Sequence, residues 1–314
     1  MAGMGIAHFI REIGRGKQGA KDLSREQACA LMTEVLGGSV DPVALGAFCI
    51  AMRIKGETAD EMMGFLDAIQ KHLHMFSNPH EQPIVVLPSY NGARRLPLLT
   101  PLLAMLLARQ GHAVLVHGCK SEDSRLATED VFSALGLEPA TQLGAIAKGE
   151  VVYAPTQLLS PAVYALLQVR RQTGLRNSAH SLVKLMNPVN GTSLQVASYT
   201  HPEYAASMQQ TLERLYAHAL LLRGTEGEPV ADPRKIPVMS CFVHGHAAPH
   251  LEIQAESSHL TTDMPIAMNA KQTADFITHI LAGHIPVPHS IQAQTEVISR
   301  LSLACVKNSL SGKP

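Results

Sequence analysis

Two short apolar segments separated by a helical segment constrain the fold of this chain more than any other feature. Residues 84–87 (Ile-Val-Val-Leu) and 113–116 (Ala-Val-Leu-Val) have the length and β-branched content of buried strands. The apolar residues between them, up to about Gln110, predict a helix. The crossover of such a strand–helix–strand unit is almost always right-handed, and its strands are parallel. The sequence therefore predicts an α/β fold with a mainly parallel central sheet.

A helical domain is predicted before this unit. Ser24 is expected to cap one helix, Asp41-Pro42 to begin a second, and Thr58 with Glu61 to cap a third. Residues 161–185 also have a helical pattern.

Further strands are expected at 151–153, 219–222 and 238–242, and further helices at 205–218, 270–282 and 289–303. We expect a helical domain over residues 1–78, joined by about 160–185, and an α/β domain over 79–314.

The charged residues are balanced in number but unevenly distributed. The chain has 26 basic and 26 acidic residues, a balance that on its own disfavours a nucleic-acid partner. Residues 82–121 and 151–202, however, contain no Asp or Glu. Their basic residues are Arg94, Arg95, Arg109 and Lys120 in the first stretch, and Arg170, Arg171, Arg176 and Lys184 in the second. We expect a polarised surface if the two stretches meet in the fold.

The cysteines and the apolar runs indicate the cellular compartment. The five cysteines include no CxxC pair and no even framework, which is typical of reduced thiols in a cytoplasmic protein. The charged start of the chain lacks the apolar core of a secretory signal, and the longest apolar run is too short to span a bilayer. We expect a cytoplasmic protein with no membrane partner.

The fold class itself predicts where a ligand binds. In parallel α/β sheets, ligands bind outside the carboxyl ends of the strands. The loop over residues 88–95 and the tripeptide Gly118-Cys119-Lys120 follow the two predicted strands and lie at this edge. We therefore expect Arg94 and Arg95 to contact phosphate groups, with solvated loop arginines as the alternative, and we consider Lys120 a weaker candidate.

Several motifs resemble those of anthranilate phosphoribosyltransferases, which belong to glycosyltransferase family 3. The resemblance is carried in order by Met52-Arg53-Ile54-Lys55-Gly56-Glu57, Val116-His117-Gly118, Arg176-Asn177-Ser178, Met186-Asn187-Pro188 and Pro202-Glu203. It implies a nucleoside-phosphorylase class II fold and a homodimer formed through the N-terminal helices. It also implies that residues 160–185 cross the cleft and bring the two basic stretches together.

The positions that hold phosphoribosyl diphosphate in this family are changed in this chain. The family's Gly-Thr-Gly-Gly-Asp motif is replaced by Pro88-Ser89-Tyr90-Asn91-Gly92, and the polar residues that follow it by Leu98-Leu99-Thr100-Pro101. Val116 stands where the family has a lysine, before His117 and Gly118. Glu226 and Glu228, which follow Arg223, are not the adjacent acidic pair that binds Mg²⁺. We expect no transferase activity and no cofactor, with Mg²⁺ required only if the transferase alternative holds.

The replacement residues themselves resemble the YbiB branch of the family. They are Pro-Ser-Tyr-Asn-Gly-Ala-Arg after the first strand, Arg-Asn-Ser-Ala-His-Ser-Leu from Arg176, His201-Pro202-Glu203-Tyr204, and Gly224-Thr225-Glu226-Gly227-Glu228. The resemblance implies a dimer that binds DNA or RNA without sequence preference and has no transferase activity. Its basic cleft would occupy the former phosphoribosyl-diphosphate site.

The candidate site residues divide into two sets. Phosphate contacts are expected from Arg94, Arg95, Lys120, Arg170, Arg171, Arg176, Lys184, Arg223, Arg15 and Lys17. The degenerate substrate-site positions are Ser89, Tyr90, Asn91, Gly92, Thr100, His117, Gly118, Glu226 and Glu228, among which Tyr90 is expected to be the ring best placed to stack on a base.

Several of these residues also have structural interpretations. Arg176 aligns with the family's anthranilate-contacting arginine, and an interdomain salt bridge is the equal alternative. One of Arg170 and Arg171 is expected to face solvent without a role. Arg15 and Lys17 lie in a glycine-rich basic arm that either clamps a nucleic-acid backbone or is a functionless terminus.

The histidine-rich segment and the function of the protein each have alternative interpretations. His244, His246 and His250 have zinc-like spacing, but a solvated loop is the preferred interpretation. The main alternative to nucleic-acid binding is a glycosyl- or phosphoribosyltransferase with an altered substrate. A protein-interaction scaffold that uses the dimer is the third possibility.

Overall fold

The computed structural model describes residues 5–120, 122–256, 264–266 and 268–311; the side chains of Lys17 and residues 307–311 lie outside the described part. The helices are α1 (Ala7–Ile13), α2 (Gly16–Gly19), α3 (Arg25–Leu36), α4 (Pro42–Lys55), α5 (Ala59–Lys71), α6 (Thr100–Arg109), α7 (Thr128–Ala134), α8 (Thr156–Leu159), α9 (Pro161–Thr173), α10 (Ala179–Leu182), α11 (Glu203–Arg214), α12 (Ala270–Leu281) and α13 (His289–Ser311). The strands are β1 (Phe76–Ser77), β2 (Ile84–Ser89), β3 (Val114–Gly118), β4 (Val151–Pro155), β5 (Val189–Asn190), β6 (Ser193–Tyr199), β7 (Ala219–Arg223), β8 (Met239–Val243) and β9 (His246–Ala247).

The chain forms two compact units. The first is helical and contains the chain up to His74 together with Leu159–Met186. The second is the α/β unit and contains Met75–Leu158 together with the chain from Asn187 onward. The chain therefore leaves the helical unit once and returns to it for α9 and α10.

Local capping explains where the helices of the first unit begin. The Ser24 hydroxyl accepts the backbone N–H of Gln27 and so caps α3, while Thr58 and Glu61 form a reciprocal capping box at the start of α5. Asp41 caps α4, whose first residue is a proline. These three helix starts are those that the sequence predicts.

The α/β unit contains a seven-stranded sheet in the order β4-β3-β2-β6-β7-β8-β9. The first five of these strands are parallel to their neighbours, whereas β8 runs antiparallel to β7 and β9 antiparallel to β8. The predicted unit of β2, α6 and β3 is present, with Val86 paired to Leu115. The expected α/β fold with a mainly parallel sheet is confirmed.

One central strand, β6, is absent from the sequence prediction. Its sequence, Ser-Leu-Gln-Val-Ala-Ser-Tyr, contains polar residues at positions that would be apolar in an ordinary buried strand. Gln195 and Ser198 are nevertheless buried, and the Ser198 hydroxyl donates a 2.9 Å hydrogen bond to the Gly227 carbonyl. Because these polar groups have partners, the strand is stable at the centre of the sheet.

Apolar side chains at alternate strand positions, such as Val85 and Leu87, form a core on one face of the sheet in the α/β unit. Residues from α6, α7, α12 and α13 join those of β2, β3, β6 and β7 in this core. None of the helices in the described residues is long and apolar enough to cross a membrane.

Candidate functional site

The carboxyl ends of β2, β3, β6 and β7 lie along one edge of the sheet because these strands are parallel. The segment after β2, residues 90–99, is called the arginine loop below, since it carries Arg94 and Arg95. The segment after β7, residues 224–231, is called the glutamate segment, since it carries Glu226 and Glu228. The contacts between these two segments define the site.

The carboxylate of Glu228 is buried against the start of the arginine loop. One of its oxygens accepts the backbone N–H groups of Asn91 and Gly92, at 2.8 and 2.7 Å. The other accepts the hydroxyl groups of Ser89 and Thr100. Glu228 is 1% exposed, so this carboxylate exchanges its hydration shell for four protein donors.

The carboxylate of Glu226 binds the next part of the same loop. Its Oε1 accepts the backbone N–H groups of Arg95 and Leu96, at 2.7 and 3.0 Å. Its Oε2 accepts the N–H of Arg94 at 3.0 Å and lies 3.4 Å from the Arg125 guanidinium. Two carboxylates of the glutamate segment thus bind five backbone N–H groups of the arginine loop.

The backbone of the glutamate segment is held in place from two sides. On one side, the Asn91 side-chain amide donates to the Glu226 carbonyl and the Ser198 hydroxyl to the Gly227 carbonyl. On the other side, the buried Gln294 of α13 accepts the Ala231 N–H at 2.8 Å. Gly227 has a φ of +88°, and a Cβ there would lie 1.9 Å from Asn91 Nδ2, so only glycine fits.

Successive backbone N–H groups in a loop at a sheet edge form an anion-binding concavity. In this chain the two glutamates supply the anions, so a free diphosphate would have to displace both carboxylates. The cavity lined by Ser89, Tyr90, Asn91 and Gly92 measures about 10 Å³, which is the space of a single water molecule. No phosphoribosyl diphosphate fits that volume.

The same contacts exclude a magnesium site at Glu226 and Glu228. Mg²⁺ requires hard oxygen ligands in a near-octahedral array. Both carboxylates instead face N–H and O–H donors, and Glu226 also contacts the Arg125 guanidinium. These residues do not fit the metal ion that the family uses.

Tyr90 is not available for base stacking, contrary to the sequence-based expectation. It is 3% exposed, and its hydroxyl lies 2.8 Å from His117 Nδ1 and accepts a hydrogen bond from Thr156. Burial raises the pKa of Tyr90 well above its usual range. The Tyr90 and His117 rings are both buried, with centroids 5.5 Å apart, so both are core residues at this edge of the sheet.

The predicted basic residues of the α/β unit differ in their surroundings. Arg94 and Arg95 have exposed side chains, although their backbone N–H groups are bound to Glu226. Arg223 is also exposed and donates from Nε to the Thr200 carbonyl at 3.1 Å. Lys120 is exposed and lies 3.6 Å from Asp130.

Acidic side chains from outside the first acid-free stretch contact its residues. Asp130 contacts Lys120, and Glu226 contacts the backbone of the arginine loop. Residues 82–121 contain no Asp or Glu, but acidic side chains from elsewhere in the chain lie next to them in the fold. The side chains of Arg94 and Arg95 are nevertheless exposed.

The basic residues of the helical unit include a cluster around His180. Burial, followed by the charges of Arg176, Arg170 and Arg53, lowers the pKa of His180 to about 3. The Arg53 guanidinium donates to the Arg176 carbonyl at 3.1 Å, which fixes the two arginines next to each other. Arg53 has no local sequence signal for this cluster, because it lies in α4, distant in sequence from the second acid-free stretch.

The remaining helical-unit candidates are less accessible or are paired. Arg171 is exposed and donates to Gln168, one turn earlier in α9. Lys184 is only 8% exposed. Arg15 forms a 3.2 Å salt bridge with Glu12.

The predicted basic arm is helical in the structure. It belongs to α1, α2 and the turn between them. Lys17 lies in α2, and its side chain is outside the described part of the chain.

The histidine-rich segment forms a β-hairpin. His244 and Gly245, with φ of +49° and +75°, are the two turn residues between β8 and β9, which is the geometry of a type I′ turn. The His244 ring packs edge-on against His218 with centroids 4.2 Å apart. Among the described residues, no three His, Cys, Asp or Glu side chains are arranged to hold a metal ion.

Comparison with known proteins agrees with this architecture. Residues 7–73 match the family described as glycosyl transferase family, helical bundle domain. The chain is 37% identical over 298 residues to YbiB of Escherichia coli (strain K12), covering 93% of this chain and 92% of that protein. It is 28% identical over 286 residues to anthranilate phosphoribosyltransferase of Anaeromyxobacter dehalogenans, covering 88% and 83%.

Solved structures show the same fold. The crystal structure of anthranilate phosphoribosyltransferase from Thermus thermophilus matches with a TM-score of 0.70 and 20% identity, over 96% of this chain and 98% of that one. The Saccharomyces cerevisiae enzyme in complex with PRPP and Mg matches with a TM-score of 0.72 and 13% identity, over 96% and 90%. With this fold and the YbiB similarity over nearly its whole length, the chain belongs to the anthranilate phosphoribosyltransferase-like family, glycosyltransferase family 3, in the branch that contains YbiB.

Proposed function

We propose that this protein is a non-catalytic, sequence-tolerant nucleic-acid-binding protein that contacts the phosphates of DNA or RNA. One observation carries the proposal: the arginine loop turns its backbone N–H groups inward to Glu226 while the side chains of Arg94 and Arg95 remain exposed. The carboxylates of Glu226 and Glu228 bind the backbone N–H groups that could hold a small anion. The side chains of Arg94 and Arg95 beside them are exposed to solvent. Such a surface favours an extended polyanion over a small diphosphate.

Basic groups on both units support the same proposal. In the α/β unit, Arg223 is exposed at the same sheet edge as Arg94 and Arg95. In the helical unit, Arg170 and Arg176 lie near His180. We propose that the basic groups of each unit contact phosphates of the nucleic-acid backbone. A homodimer formed through the N-terminal helices would present every such group twice.

Tolerance of sequence follows from the kind of contact proposed. Contacts from arginine to phosphate position a protein on nucleic acid without reading the bases. Binding of this kind is governed by counterion release, so its affinity depends on salt and on length rather than on sequence.

The location in the cell is part of the proposal. The five cysteines lie in the described part of the chain and form no disulfide there, and four of them are buried. Cysteines without disulfides are typical of a reducing compartment, and we propose that the protein acts in the cytoplasm.

Fluorescence anisotropy with labelled oligonucleotides tests the proposal. Three unrelated sequences of one length, each made as DNA and as RNA, are titrated with the protein at fixed salt. The proposal predicts saturable binding with dissociation constants within a few-fold of one another for the three sequences. Absence of binding, or a preference of a thousandfold for one sequence, would contradict it.

Calorimetry tests the transferase alternative, which rests on the fold shared with the enzymes. The protein is titrated with phosphoribosyl diphosphate in the presence and absence of Mg²⁺. The carboxylates of Glu226 and Glu228 already accept hydrogen bonds from the backbone N–H groups of the arginine loop. We therefore expect no saturable binding of phosphoribosyl diphosphate, with or without Mg²⁺. Metal-dependent binding would favour the enzyme.

A further inference from the structure

Two exposed aromatic rings lie at the carboxyl end of β6, at the sheet edge that also carries the arginine loop. The ring centroids of His201 and Tyr204 are 6.4 Å apart, with their planes tilted by 57°. Tyr204 is 51% exposed and lies in the first turn of α11. A single exposed ring is ordinary on a protein surface, so the neighbouring groups decide what this one can do.

A fixed cation lies beside the segment that carries the two rings. Arg223 is paired in register with Tyr199 at the ends of β7 and β6. Its Nε donates a 3.1 Å hydrogen bond to the Thr200 carbonyl, the residue immediately before His201. The rest of the exposed guanidinium is therefore held near the start of α11 and faces solvent.

We infer that Tyr204, together with His201 and Arg223, forms a stacking site for an unpaired nucleobase. The inference rests on the proposed function and adds to it the form of the ligand, a single strand. An aromatic face accepts any base by stacking, and an adjacent cation binds the phosphate of the same nucleotide. Paired bases in a duplex are stacked on each other and offer no free face, so the site distinguishes single strands from duplexes.

The geometry indicates how the rings would share this task. The 57° tilt between His201 and Tyr204 prevents the two rings from enclosing one base as parallel faces. We therefore assign the base to the exposed face of Tyr204, and to His201 the role of supporting its orientation.

The decisive variant is Tyr204→Ala, measured against a single-stranded oligonucleotide and a duplex of the same length. Loss of one stacked base is expected to weaken single-strand binding by between about fivefold and a hundredfold. Duplex binding is expected to change by less than about twofold, since it depends on phosphate contacts. Tyr204→Phe keeps the ring and is expected to bind single strands like the unchanged protein.

The chain offers a matched control in Tyr216. This tyrosine is 73% exposed but precedes β7 and therefore lies at the opposite edge of the sheet from Tyr204. Tyr216→Ala is expected to leave both affinities unchanged. Equal losses in Tyr204→Ala and Tyr216→Ala, or no loss in Tyr204→Ala, would overturn the stacking site.

Tyrosine fluorescence gives a second readout, because the chain contains six tyrosines and no tryptophan. Stacking of a base on Tyr204 is expected to quench part of this emission when a single strand binds, and Tyr204→Ala is expected to abolish that part. Nucleic-acid binding without any quenching would reject the stacking site alone and leave phosphate binding intact. Failure of the unchanged protein to bind either ligand would reject the proposed function itself.

Discussion

The backbone N–H of Asn91 donates a 2.8 Å hydrogen bond to the buried carboxylate of Glu228. The next N–H, of Gly92, donates to the same oxygen at 2.7 Å. In this way the chain supplies its own anion to the loop that follows the first strand of the parallel sheet. A built-in carboxylate and a bound diphosphate need the same donors, so the two exclude each other.

Removal of the Glu228 carboxylate is expected to destabilise the protein. Glu228→Ala leaves the N–H groups of Asn91 and Gly92 and two hydroxyl groups without their acceptor in a buried site, at a cost of about 2–4 kcal/mol in the free energy of unfolding. Urea denaturation measures this cost.

The control for that measurement is Glu296→Ala, in an exposed position of α13. It is expected to change the free energy of unfolding by less than about 0.5 kcal/mol. If Glu228→Ala were as stable as this control, the carboxylate would not be the acceptor that the loop depends on.

Glu226 is expected to keep the arginine loop rigid. In Glu226→Ala the backbone N–H groups of Arg94, Arg95 and Leu96 lose their acceptor and become open to solvent. Amide hydrogen exchange is therefore expected to become faster at these three residues. The matched control is Glu122→Ala, whose carboxylate lies 3.2 Å from the same Arg125; equal exchange in both variants would contradict the role of Glu226.

Charge reversal in the arginine loop is expected to weaken binding to all nucleic-acid sequences alike. In the double variant Arg94→Glu, Arg95→Glu the slope of log affinity against log salt is expected to fall by about 2, one per lost phosphate contact. Lys271→Glu, which reverses an exposed cation on α12, serves as the control. An unchanged slope in the double variant would remove the arginine loop from the binding surface.

Stability is expected to depend on pH through His180. Burial and the neighbouring arginines Arg176, Arg170 and Arg53 lower its pKa from 6.5 to about 3 in the folded protein. Between these values the unfolded chain binds more protons, so the free energy of unfolding falls as pH decreases from 6.5 toward 3. The contribution of this residue is roughly 1 kcal/mol per pH unit in that window.

His180→Gln removes this titration, because glutamine stays neutral throughout. Urea denaturation at pH 7 and at pH 4.5 is expected to show a smaller loss of stability in His180→Gln than in the unchanged protein. Identical losses would mean that His180 takes up its proton in the folded protein as easily as in the unfolded chain.

Much of the fold could be predicted from the sequence because its signals are local. The Ser24 cap, the Thr58–Glu61 box and the apolar run at residues 84–87 are determined by neighbouring residues, and each is present as predicted. The strand β6 could not be recognised locally, since Gln195 and Ser198 are polar residues that are buried, and the Ser198 hydroxyl donates to Gly227, far along the chain.

The sheet edge at which the candidate residues lie could be inferred from the fold class, but the contacts made there could not. Arg94 and Arg95 are exposed in the loop that follows β2. The pairing of Glu226 and Glu228 with a loop more than a hundred residues earlier is a long-range contact that no local pattern reveals. Its signal in the sequence was the short Gly-Thr-Glu-Gly-Glu segment, in which glycines place two carboxylates on one turn.

The salt dependence of nucleic-acid affinity tests the central claim most directly. The affinity of the unchanged protein for one labelled single strand is measured by fluorescence anisotropy from low to physiological salt. If exposed arginines bind successive phosphates, log affinity falls linearly with log salt with a slope of several units. An affinity that stays flat across this range would contradict the account.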